Sequence, residues 1–388
     1  MRSWIFISLL ILSTALYAQN KILLKGQAST LLAYSPDAPL DLQLAGRYIP
    51  EINYIRTIDS NRLFDIEISA NISGAVSSLP FDTINTYDKV SPYRMWARYS
   101  GKQLEVRAGL QKIDFGSATL LRPLQWFNEI DPRDPLQLTN GVYGLLGRYS
   151  FMNNANIWVW GLYGNQHTRG FDALETNPTQ PEIGGRFQYP TKDGEIAISY
   201  HHRNIDEATI RLPSSSVGPG AHPGPSFTFY NIDEDKIALD GKWDKKVGLW
   251  FEASHSFKNQ NIGQLTNQSM LNLGTDYTFG LGNGLNVIGE HLMVTYNNDE
   301  IRLNNVSHIS ATTLSYPLGL FDNVMSIVYY NWESREPILF INYQHSFKKI
   351  TGYVMAYYNP STQSGIREND FSNSISGPGI RLMCVYNH

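Results

Sequence analysis

The feature that most restricts this chain is its period. Past residue 20 it runs as segments about ten residues long in which apolar and polar side chains alternate, separated in turn by short and long connections. Between residues 103 and 111, Leu104, Val106, Ala108 and Leu110 fall on one face, and Gln103, Glu105, Arg107, Gly109 and Gln111 on the other. Residues 63–72 repeat the pattern with Phe64, Ile66, Ile68, Ala70 and Ile72, and residues 195–203 with Ile196, Ile198 and Tyr200. A period of two is a strand, and a strand apolar on one face only needs two different surroundings.

The connections say how the strands are joined. The short ones, such as Ser100-Gly101-Lys102, Met152-Asn153-Asn154, Lys192-Asp193-Gly194 and Gly282-Asn283-Gly284, carry residues that tolerate the positive φ of tight hairpins. The long ones alternate with them at residues 116–139, 165–180, 204–232, 258–268, 297–305 and 359–375. Short turns on one rim and long loops on the other describe an all-β transmembrane antiparallel β-barrel. The count is about sixteen to eighteen strands, the first at residues 22–33 and the last at residues 379–386, with both termini on the short-turn rim.

Compartment follows from the first residues. Arg2 precedes the apolar run from Trp4 to Leu12, which is too short for the roughly 20 residues of a spanning helix and has the form of a secretory leader. Residues 1–18 are therefore expected to be a signal peptide cut after Ala18, leaving residues 19–388 as one barrel. The single cysteine, Cys384, rules out both a disulfide framework and an N-terminal lipid anchor. A mean hydropathy of -0.28 is too polar for a helical membrane protein. The net charge of -4 gives no reason to expect nucleic acid, so the expected partners are outer-membrane lipid and small hydrophilic solutes.

If the apolar face meets lipid, the opposite face lines a lumen. Alternation puts Arg47, Arg94, Arg98, Arg107, Arg148, Arg186, Arg203 and Arg381 there, with Asp65, Glu67, Glu105, Glu195, Glu252 and Glu290. An Arg or Lys on the lipid face at mid-height would cost roughly 2–4 kcal/mol, which supports this register. Two readings of the charges stand: a field and hydrogen-bond ladder for solutes, or mutual pairs that stiffen the wall. Tyr and Trp near strand ends, among them Trp158, Trp160, Tyr163, Tyr329, Tyr330, Trp332, Tyr353, Tyr357 and Tyr358, are expected to form interface girdles.

The connection after the fifth strand, residues 116–139, is unlike a solvated tip. It carries Arg122, Trp126, Phe127, Glu129, Asp131, Arg133 and Asp134, and is stiffened by Pro123, Pro132 and Pro135. It is expected to fold into the lumen as a constriction, its carboxylates meeting inward arginines and its arginines meeting wall carboxylates.

The passage from Arg107 to Phe151, RAGLQKIDFG, RPLQWFNEIDPRDP and GVYGLLGRYSF, resembles uncharacterised porin-like outer-membrane β-barrel proteins of Bacteroidota. The resemblance implies a channel in the outer membrane of a Gram-negative bacterium, with the loop after strand five turned inward as in general porins, and it brings no substrate. The chain ends Tyr386, Asn387, His388, without the terminal Phe usual in such barrels. An enzyme is not expected. No G-x-S-x-G or H-E-x-x-H occurs, and adjacent His201 and His202 point to opposite faces, so they cannot share a metal. No cofactor or metal is implied. The rival classes are a non-conducting barrel used for docking or secretion, with the loop at residues 204–232 as its contact surface, and a barrel hydrolase.

Overall fold

The computed structural model describes residues 20–38, 40–79, 84–211, 226–298, 305–360 and 377–388. The expected leader, residues 1–18, lies outside them. Eighteen antiparallel strands follow one another round a single sheet. They are β1 (Asn20–Tyr34), β2 (Leu42–Asp59), β3 (Arg62–Ser78), β4 (Ile84–Ser100), β5 (Leu104–Gln111), β6 (Val142–Ser150), β7 (Asn156–Leu162), β8 (Glu182–Thr191), β9 (Gly194–Arg211), β10 (Ser226–Asp244), β11 (Gly248–Lys258), β12 (Asn267–Phe279), β13 (Leu285–Asn297), β14 (Ser307–Pro317), β15 (Asp322–Asn331), β16 (Glu336–Ser346), β17 (Ile350–Asn359) and β18 (Gly377–Asn387). The last strand pairs back on the first, from Gln27 opposite Asn387 to Tyr34 opposite Ile380. This closure leaves no open edge along that stretch. The all-β barrel is thus the expected one, at the upper end of the expected count.

The turns explain the hairpins. Asn154 (φ 65°) and Asp193 (φ 64°) occupy the left-handed region at two of the tight connections, where Asn and Asp are tolerated. Exposed apolar side chains sit at outward positions round the wall, for example Leu24, Leu44, Ile68, Val159, Leu249, Leu273, Ile341 and Leu382. Such a belt is the surface a lipid-facing barrel needs. Among the described residues no helix is long and apolar enough to cross a membrane, which says nothing of a β-barrel.

Two expectations are corrected here. Residues 204–211 pair with residues 226–233 as the outer ends of β9 and β10, so most of the expected loop at 204–232 is a tall hairpin and only residues 212–225 lie outside the description. The Ser/Pro/Gly-rich part of the expected contact surface lies within those undescribed residues. The girdle also fails in part. Trp158 lies behind Arg148, and Trp160 is buried on the inner face with Leu162; Tyr329 and Tyr357 are buried inside as well, with Tyr353 packed beside them. Tyr163, Tyr358 and Trp332 remain exposed. The inner wall is not uniformly wet, so an aromatic residue has two apolar destinations.

Candidate functional site

Between β5 and β6, residues 112–141 leave the sheet and lie against the inner wall. Two buried carboxylates on the far side hold them. Glu252 on β11 accepts from the backbone N–H of Ala118 (2.7 Å) and Leu124 (3.2 Å). Glu290 on β13 accepts from the backbone N–H of Thr119 (2.7 Å), Leu120 (3.2 Å) and Leu121 (2.6 Å) and from the Thr119 hydroxyl (3.1 Å). Trp250 Nε1 and Asn272 Nδ2, each 3.2 Å away, fix the same carboxylate from the wall side. Among the described residues neither glutamate has a cationic side chain at ion-pair distance; N–H dipoles carry the compensation, as in an anion-binding nest. Gly116 (φ 95°) lets the backbone pass against Glu252, where a Cβ would collide with Oε1.

The loop's apolar residues complete the anchor. Phe115, Leu124, Trp126 and Phe127 pack with Leu146, Trp160 and Leu162 of the wall. Leu121 reaches a second apolar patch with Leu292, Ile327, Tyr329 and Phe340. At the far end Arg94 donates to the Thr139 carbonyl (3.0 Å) and hydroxyl (2.6 Å), so this inward arginine serves the loop.

The expected pairing between loop charges and wall charges is met only in part: Arg47 of the wall lies within electrostatic reach of Asp134, Arg122 within reach of Glu252, and Arg133 donates to Asn359 Oδ1 of β17 (3.3 Å), but the closest ion pairs are local. Arg122 pairs with Asp114 (2.6 Å), and Arg133 grips Asp131 through Nε (3.0 Å) and Nη2 (2.9 Å). Asp134 accepts the backbone N–H of Leu136 (2.9 Å) and Leu138 (3.3 Å), while burial pushes its carboxyl above the ordinary range. Ion pairs two to eight residues apart form at little cost in chain entropy, which is why the shortest pairs are local. Glu129 faces an open vestibule also lined by Lys89, Asn165 and His167.

A second connection, residues 163–181, packs inward beside the first. Gly170 (φ 52°) passes so close to the Gln125 carbonyl that no side chain would fit. Arg169 pairs with Glu182, to which His201 Nε2 also bonds (3.1 Å). Trp160 Nε1 lies 3.2 Å from His201 Nδ1; indole can only donate, so Nδ1 accepts and Nε2 carries the proton given to Glu182. Asp172 joins Arg203 (3.0 Å) and Lys236; Glu234 takes Arg203 and Lys258 (2.8 Å). Arg186 makes a two-pronged contact with Asp240 (2.6 and 2.8 Å).

The sequence reading thus named Arg186 and Arg203 but missed Asp240, Glu234, Asp172, Lys236, Arg169 and Glu182. Period-two alternation along β10, where Glu234, Lys236 and Asp240 share the inner face with Ala238, was the signal for three of them.

On the other arc Arg98, Glu105, Arg107 and Arg148 stay partly exposed, while Asp65 is buried. Arg98 binds Asp65 (3.0 and 2.6 Å), while Arg98 (3.6 Å), Arg107 (3.1 Å) and Arg148 (3.8 Å) surround Glu105. Trp96 lies under Arg98 and Arg107, and Trp158 under Arg148 at 3.5 Å. Glu67 shares their face, and Glu195 accepts from Gln188 (2.5 Å) on the neighbouring arc. Arg47 and Arg381 instead border a gap, open to solvent, between the wall and loop residues Asp131 to Leu136. Among the described residues no three His, Cys, Asp or Glu side chains gather as a metal cluster.

No family model matches the chain, and no curated protein matches it in sequence. Solved structures do match in shape. OccAB1 of Acinetobacter baumannii aligns over 95% of this chain and 96% of its own at 9% identity and a TM-score of 0.54. OccK5 (OpdH) of Pseudomonas aeruginosa aligns over 95% and 98% at 12% identity and 0.53, and the anion-selective porin from Comamonas acidovorans over 95% and 100% at 11% and 0.51. This chain has the fold of an outer-membrane porin barrel.

Proposed function

We propose that this chain is a porin-type channel of a Gram-negative outer membrane that lets small hydrophilic solutes diffuse through a lumen narrowed by residues 112–141. One observation carries the reading. The loop is fastened on one flank by Glu252 and Glu290, while its other flank leaves the gap beside Arg47 and Arg381. A loop fastened this way sets the narrowest section. The inward Arg, Asp and Glu of β3 to β6 would line the passage below it, in water enough to stay ionised. Membership among the Bacteroidota proteins rests on the passage from Arg107 to Phe151, and export on residues 1–18, with Gln19 expected as the first residue of the mature chain.

The reading includes no reaction. The buried carboxylates are engaged by loop N–H groups, arginines, lysines and His201, a pattern of bracing. Purified protein in a planar bilayer is expected to give discrete current steps in potassium chloride. A reconstituted, folded barrel that carries no current would reject the channel and leave a sealed barrel.

A further inference from the structure

The gap beside the loop differs in lining from the rest of the charged lumen. Its floor is Leu31, Leu136, Met355 and Met383, and its polar edge is Arg47, Arg381 and the loop residues Asp131, Arg133 and Asp134. The two aspartates are already engaged. Asp131 is clasped by Arg133, and Asp134 by N–H groups of its own loop. Neither is in a position to demand a cationic guest.

Arg381 is the opposite case. Its guanidinium lies over the Tyr357 ring, 4.4 Å from the centroid, and its Nε and Nη2 are shielded from solvent without a hydrogen-bond partner among the described residues. A fork of donors left unmet at the edge of an apolar cavity favours an anion with two oxygens in one plane. Stacking on Tyr357 fixes the plane in which that fork is presented.

The floor sets the rest of the guest. Two methionines, unbranched and polarizable, and two leucines give an adaptable apolar surface that water wets poorly. We propose that this gap is a binding site for amphiphilic organic anions: a carboxylate head on the Arg381 fork and a short hydrocarbon body over Met355, Met383, Leu31 and Leu136. Passage of the bound solute rests on the channel reading; binding does not.

The test uses hexanoate as probe, acetate as the head without the body, and hexylammonium as the body with the wrong charge. Hexanoate is expected to reduce the open-channel current at concentrations at least tenfold below those of acetate, with hexylammonium ineffective. R381Q should abolish that advantage, R381K should restore part of it, and M383N should weaken hexanoate while leaving acetate unchanged. Partial rescue by R381K separates lost recognition from lost folding. Calorimetric titration of hexanoate into the detergent-solubilised barrel reads binding without current. Hexanoate no better than acetate, or R381Q indistinguishable from the parent, overturns the site while a conducting barrel keeps the channel. A barrel that carries no current yet binds hexanoate through Arg381 supports the site and rejects the channel.

Discussion

Two arcs of the inner wall use the same residue types for different ends. On β8 to β11, Arg186, Arg203, Lys236, Asp240 and Glu234 are buried beneath the two inward connections and paired at close range. On β3 to β6, Arg98, Arg107 and Arg148 crowd round Glu105 and Asp65 with their heads partly in the open lumen. Inward alternation is common to both arcs; cover is not. Cover turns a charge into a brace, because a buried ion can neither lose its partner nor meet a solute without a large desolvation cost. An uncovered charge contributes little to stability and remains addressable.

The largest test of that contrast is on the covered arc. R203M removes the guanidinium shared by Glu234 and Asp172, leaving each with lysine partners only, and is expected to cost about 3 kcal/mol, the lower end for a broken buried pair, read from denaturant unfolding in micelles. A loss below about 1 kcal/mol would erase the distinction between the arcs. The anchor between them should respond next. E290Q replaces an acceptor of three backbone N–H bonds with an amide that must turn a donor toward some of them, at about 1–3 kcal/mol. Because the loop is then loosened, open-channel current should become larger and noisier, and a quiet, unaltered current would show that apolar packing alone positions it. The smallest effect on stability belongs to the uncovered arc. R107S with R148S is expected to move stability by no more than about 1 kcal/mol. The same pair should shift the reversal potential in a salt gradient toward cations, and an unmoved potential would make these arginines braces too.

How much of this was legible depends on which distances in sequence matter. Period two and turn chemistry are local, so the barrel, the strand number and the inward faces of Arg107 or Glu105 could be read directly. Glu252 and Glu290 were readable as inward positions, but their task was not, because their partners are backbone N–H groups 134 and 171 residues earlier. Backbone donors leave no mark in a sequence. Trp158 and Trp160 misled for another reason. In the run Asn156–Leu162 both faces are apolar, so alternation cannot say which side meets lipid and which meets Phe115 and Phe127. The loop charges misled in part because the closest partners, Asp114 for Arg122 and Asp131 for Arg133, were available within the same connection.

The closure of β18 on β1 has a consequence in time. Gln27 finds Asn387 across 360 residues, so this seam cannot exist until the final eleven-residue strand has been made. Contacts of such span form late and slowly. Every shorter nascent chain therefore presents a strand edge with unspent N–H and C=O groups, beside apolar rows not yet in lipid. For this molecule synthesis and folding are separate events. The zipping of β18 onto β1 is the step that ends the interval between them.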